Sequence, residues 1–330
     1  MTLDNTEQAK KSTLEEIIAH EIWGDLDEER SFPQTRPLLA HYTSIQNVEN
    51  ILRGKELWLS NPLLMNDLEE LKFGVLEGAK LFRESTSLIK ACEASCSHAA
   101  LIAKFDEYVT ALDTRDALDI YIFCFSLHTP NDNDGRLSMW RGYGNNGGGA
   151  ALVFDTAKFD PVEDSPLTLS PVIYANTADR LNWIRAKIDK IAEIISSGLV
   201  PTTEIPTLSI TFFLRLLMFS LHTKHEGFKE EKEWRLVYIS TLDTDGHGKS
   251  MLSYHNSDRG IEPKLKLKLT NNPNLTPKDF NLDSVIHQII LGPTASSLLS
   301  AKALERMIDG YGLFSLSKKI TPSSIPYRPT

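Results

Sequence analysis

Apolar and polar positions divide the chain into segments of two periods. Leu14, Ile17, Ile18, Ile22 and Trp23 recur at helical spacing and are followed by an acidic stretch with Pro33 and Pro37. Residues 1–35 therefore read as an N-terminal helix and connector ahead of a single domain at 36–330. That domain opens with a short strand over 38–44 that runs into a stripe of Ile45, Val48, Ile51 and Leu52. Thr43 and Gln46 have the spacing of a capping box, and Gly54 is placed to end the helix. A strand over 56–60 stops at Asn61-Pro62. Residues 119–127 are apolar at odd and even positions alike, the pattern of a central strand covered on both faces. Helical patterns follow over 178–199 and 208–225. Strands follow over 234–240 and 285–291, and a helix over 295–310. Residues 264–269 alternate Lys with Leu, which predicts an edge strand with a solvated lysine face. From Pro322 onward no core contribution is expected.

About eight strands interrupted by long helical insertions, without regular β-α alternation, predict an α+β fold around a mixed, largely antiparallel sheet. One domain suffices, because strands near both ends of the body cannot bury themselves alone.

Composition narrows the function classes. A chain of 330 residues, 41% hydrophobic and 24% charged, is globular. Its net charge of -9 excludes diffuse attraction to nucleic acid or to an anionic membrane. Three cysteines, with Cys124 inside an apolar run, make no disulfide framework and indicate a reducing compartment. The first residues lack the apolar core of a signal peptide and no run reads as a membrane span, so a cytoplasmic protein with no membrane partner is expected. Cys92, Cys96 and His98 lack a fourth ligand, and no metal is expected.

The densest candidate chemistry lies at residues 228–240, where a charged run meets an apolar strand. Glu231 and Glu233, two apart at the strand's entrance, are expected to point the same way, as an acid-base pair does, with Lys229, Lys232 or Arg235 to compensate them. A solvated turn before a strand is the alternative. Gly142, Gly144 and Gly147 match G-x-G-x-x-G, but a helix precedes them and a strand follows, the reverse of a dinucleotide fingerprint. Flanked by Trp140, Arg141 and Tyr143, this stretch reads either as a loop over a ligand or as a glycine-rich turn.

Four features, in order, resemble the bacterial domain-of-unknown-function family 2971: His41-Tyr42-Thr43 before a short helix, Trp58-Leu59-Ser60 leading to Asn66-Asp67, Phe123-Cys124-Phe125-Ser126 followed by Met139-Trp140 and Tyr143, and Glu231-x-Glu233-Trp234-Arg235. The resemblance spans roughly residues 38–293. The chain departs from the family pattern at Leu68, where proline is usual, and at Arg141-Gly142. The same layout is similar, more distantly, to ADP-ribosyltransferases, and that resemblance implies an enzyme that consumes NAD as transferase or glycohydrolase, in a toxin or antiphage defence role. It implies Glu233 as the carboxylate that stabilises the ribosyl cation and Glu231 as the base that takes a proton from the acceptor. It further implies His41 and Thr43 on the adenosine ribose, Tyr42 or Trp140 stacked on nicotinamide, and Arg141 or Arg235 on the diphosphate. Asn66 and Tyr143 complete the expected NAD site, and the acceptor would be a protein or nucleic acid that the sequence does not specify. Two other readings stand beside it: a non-enzymatic ligand- or partner-binding module whose polar motifs form a structural network, and a magnesium nuclease using Asp67, Glu231 and Glu233.

Overall fold

The computed structural model describes residues 14–26, 28–65, 68–114, 116–163, 165–257, 260–269, 275 and 280–328. Twelve strands are assigned among them: β1 (Leu38–Thr43), β2 (Glu56–Ser60), β3 (Ile120–His128), β4 (Ala150–Asp155), β5 (Leu167–Pro171), β6 (Ile173–Ala175), β7 (Thr223–His225), β8 (Glu233–Ile239), β9 (Leu252–Ser257), β10 (Gly260–Lys268), β11 (Ile286–Leu291) and β12 (Ile320–Pro322). The fold is α+β, and the chain forms two compact units that interleave in sequence.

The first unit comprises residues 1–28, 65–117 and 173–226 and is mainly helical. Phe82 stacks on Phe105 and Phe212 with ring centroids 4.3 and 4.7 Å apart, which joins the helices Leu68–Arg83, His98–Thr114 and Leu208–His222. The N-terminal segment belongs to this unit. Asp25 accepts from Trp183 Nε1 (2.6 Å) and pairs with Lys187 (2.9 Å) and Arg215 (3.0 Å), and these cations hold its carboxyl below the usual carboxylate range against the opposing effect of burial. Contrary to the sequence reading, one stretch, Ile205–His222, has the length and apolar character of a membrane span. Most of it is buried inside the protein, as a core helix is. The helical pattern expected to reach His225 stops at His222, and the last three residues form β7, parallel to β6.

The second unit, residues 29–64, 118–172 and 227–330, holds a ten-stranded sheet. Its order is β12-β11-β4-β1-β3-β2-β10-β9, with β8 paired to β3 and β5 to β8. Only β11 and β12 run parallel, so the sheet is mixed and mostly antiparallel. As its two-sided apolar pattern predicts, β3 is central. One of its edges pairs with β8 from Ile120 to Ser126, and its other edge is shared by β1, opposite Ser126–His128, and β2, opposite Ile122.

Alternation along the strands separates two faces. Leu39, Leu59, Phe123, Phe125, Leu152, Phe154, Trp234 and Tyr238 point to one side, the inner face, and form the main core. At ~1.5–3 kcal/mol for each large side chain removed from water, this face is the dominant stabilising element of the unit. Ala40, Tyr42, Ala151, Val153 and Ile290 point to the other side and meet Met139 and Trp140 of the helix Leu137–Gly142.

Local details depart from the sequence pattern in three places. The helix Ile45–Gly54 is capped by Ser44, which accepts from Asn47 N–H, while Thr43 is still in β1. The left-handed residue that ends it is Lys55 (φ 51°), one past Gly54. The lysine-rich strand is β10, which is no edge: it lies between β2 and β9, and Lys264 is buried against Glu262 (2.9 Å) and Ser60 (2.8 Å). Alternation reports that one face differs from the other. It does not report whether the polar face meets solvent or a partner carboxylate.

Candidate functional site

Where β1 and β2 share the edge of β3, neither pairs with Cys124. His41 fills the gap, its Nδ1–H donating to the Cys124 carbonyl (2.9 Å) while its ring packs on Phe123 with centroids 4.1 Å apart. A carbonyl can only accept, so the proton is on Nδ1 and Nε2 is the acceptor. Burial pushes the imidazole down to about 4, against the opposing pull of the Cys124 carbonyl, so His41 is neutral at pH 7.

The sign of the pH effect follows. A histidine with an ordinary pKa of 6.5 in the unfolded chain takes a proton there that folded His41 refuses, so its stabilising contribution is complete above 6.5 and lost as pH falls toward 4. Part of the ring reaches solvent, which limits the loss to about 2 kcal/mol. Urea titrations of the parent and of His41→Asn, whose amide can still donate to Cys124, are expected to diverge between pH 7 and 4, the variant losing less stability. Parallel curves would remove this assignment.

Glu233 lies directly opposite Ser126, and Arg235 opposite Cys124. Both carboxylate oxygens of Glu233 are taken by Arg235, Oε1 by Nε (2.8 Å) and Oε2 by Nη2 (3.2 Å). The pair is buried, 5% and 2% exposed, as a two-pronged ion pair between neighbours on one strand face. Glu231 does not share that face. It ends the turn Glu226–Glu231, and Lys232 at φ 42° bends the chain before β8 begins, so the expected side-by-side carboxylates do not form. Instead Glu231 accepts from the Tyr143 hydroxyl (2.8 Å) near the surface.

Arg136, absent from the sequence reading, joins these parts. It precedes the helix Leu137–Gly142 and donates to Ser126 Oγ (3.0 Å), Leu127 O (2.9 Å), Glu230 O (3.2 Å) and Glu231 O (3.3 Å). Ser126 Oγ donates in turn to Glu231 O (2.6 Å). The end of β3, the turn before β8 and the start of the glycine loop are thereby tied at one guanidinium. An isolated arginine in a polar loop carries no periodic signal, which is why the sequence did not single it out.

Tyr42 and Trp140 are buried against each other, edge to face at 4.8 Å, and the indole N–H donates to Asp134 O (2.8 Å). They form packing here, and neither presents an open ring to a nicotinamide. Arg141 is exposed, its guanidinium 5.3 Å from the ring centre of Tyr327. The C-terminal segment is therefore engaged after all: Tyr327 also donates to Asn146 (2.7 Å), and Ile325 packs on the Trp140 cluster. The glycine loop serves close approach of backbones. A Cβ on Gly149 would lie 2.1 Å from the Thr43 carbonyl, and Gly147 adopts φ 84°. Thr43 itself accepts from Asn47 Nδ2 (2.9 Å). Asn66 and Asp67 lie outside the described residues.

The parity of the strands separates the two residues expected to face one sugar. Ala40 is level with Ser126 and Glu233, so His41, one residue on, projects to the inner face beside Phe123 while Glu233 projects to the other. Tyr42, Ser126, Arg136, Trp140, Glu233 and Arg235 are brought together on or beside that second face. His41 and Thr43 are not among them. Among the described residues no group of three His, Cys, Asp or Glu side chains is arranged to hold a metal.

No curated protein and no solved structure matches the chain. A family match does exist and takes in part of this network, beginning within the helix that carries Trp140 and ending within β8 just past Arg235, while Tyr42, Ser126 and Arg136 lie before it. Residues 139–236 are similar to the family described as protein of unknown function (DUF2971).

Proposed function

We propose that the chain is a non-catalytic binding module in which the motif residues hold the junction of β3, β8 and the glycine loop. The observation that carries this reading is the use already made of the charged groups. Glu233 is spent on Arg235, Arg136 on four acceptors, and Trp140 and Tyr42 on each other. A carboxylate that must stabilise a ribosyl cation has to be open to substrate, and a buried one held by two donors is not. The separation of His41 from Glu233 by the sheet further weighs against NAD cleavage.

The test compares turnover with stability. Incubated with NAD, the protein is expected to release no nicotinamide above a heat-inactivated control. Glu231→Gln, which weakens the bond from Tyr143, is expected to cost about 1 kcal/mol in melting experiments. Nicotinamide release by the parent that vanishes in Glu233→Gln at an unchanged melting temperature would overturn the reading.

A further inference from the structure

The inner face of the sheet lines a half-open cavity of about 380 Å³ in the second unit. Its floor is built from Leu57, Phe125, Phe154, Leu236 and Leu267, one residue from each of five strands. Protein interiors are close-packed and leave few voids larger than a water molecule, whereas ligand pockets begin near this size. One wall is aromatic and braced. Phe159 meets Phe32 and Phe280 edge to face, at 6.4 and 5.2 Å, and Arg36 donates to Pro33 O (3.1 Å) and Phe159 O (3.0 Å) from behind.

The polar groups are distributed in a way that selects a ligand. Among the described lining residues there is no Lys, Arg or His, and the one charge is Asp160, exposed at the rim. The side-chain hydroxyl available to the cavity is that of Ser165, on the segment that also carries Asp160, because Thr168 and Ser170 stand opposite Val237 and Arg235 and turn to the other face of the sheet. A phosphate or carboxylate entering here would lose its hydration with no cation to replace it, and the rim carboxylate would repel it. A hydrocarbon body gains from the phenyl and leucyl floor, and a hydroxyl head can be satisfied at one end only.

We propose that this cavity binds an uncharged small molecule with a hydrocarbon body and a single hydroxyl head directed toward residues 160–170. The proposal deepens the binding-module reading and rests on it. It places the ligand on the inner face, with the Glu233–Arg235 and Arg136 contacts holding the far side of the same strands.

The full chain is titrated with the neutral dye N-phenyl-1-naphthylamine, whose fluorescence rises in apolar surroundings. A saturable rise at one dye per chain is expected, reversed by 1-decanol and about tenfold less effectively by decanoate. Leu236→Trp, which fills the floor, is expected to weaken dye binding about tenfold at an unchanged melting temperature. Should that variant fold poorly, Leu167→Trp fills the same cavity from β5. The absence of saturable binding, equal displacement by decanoate, or undiminished binding in both folded variants overturns the proposal. These failures differ from failure of the module reading, which shows as nicotinamide release. With no turnover and no dye bound, the module's ligand lies elsewhere.

Discussion

Glu233→Gln is expected to destabilise the second unit by about 3–5 kcal/mol, the usual consequence of taking away one member of a buried ion pair. The loss arises at Arg235, which is 2% exposed and would keep its positive charge inside the protein opposite a neutral amide. Replacing both residues, Glu233→Met with Arg235→Met, is expected to recover at least half of it, since well-packed apolar side chains often substitute for a buried pair at little cost. Chemical denaturation of the parent, the two single variants and the double variant closes a cycle whose coupling term isolates the pair. Equal losses in single and double variants, with no recovery, would show that Glu233 matters for something other than Arg235.

Arg136→Met is expected to cost about 3 kcal/mol. Its guanidinium donates to three backbone carbonyls and one hydroxyl, and methionine replaces the stem but none of the donors. Leu127 O would be left with one donor fewer, and the turn before β8 would lose its guanidinium tie while keeping the bonds from Ser126 Oγ to Glu231 O and from Leu127 N–H to Lys232 O. Ser126→Ala, which removes two links but leaves the guanidinium its three carbonyl acceptors, should cost about 1 kcal/mol. If the two variants melted together, the guanidinium would not be the tie that its geometry indicates. Hydrogen exchange offers a second reading: amides of residues 226–232 should exchange faster in Arg136→Met, while those in the middle of β3 should not.

The candidate site was legible in part. The Trp140 and Glu233-Trp234-Arg235 motifs stood out because each sets a charge or an aromatic group against a buried run, and that contrast is local; the structure brings both to the network around Arg136. Arg136 escaped because its four acceptors come from chain positions up to 95 residues away. The lysines of β10 were taken for an edge because the carboxylate that pairs with Lys264 is Glu262, on the same strand face and outside the alternating run.

Within one strand, alternation determined which residues share a face, so the central place of β3, the two-sided burial of β8 and the α+β class could all be read from residue order. Which face of β1 lies level with which face of β8 depends on how Ala40, Ser126 and Glu233 line up across β3. A shift of one residue reverses every side chain in a strand, and register is set by packing between distant segments. For that reason only the tertiary structure decided that His41 and Glu233 stand apart, and that the inner face beside Phe125 keeps a hollow.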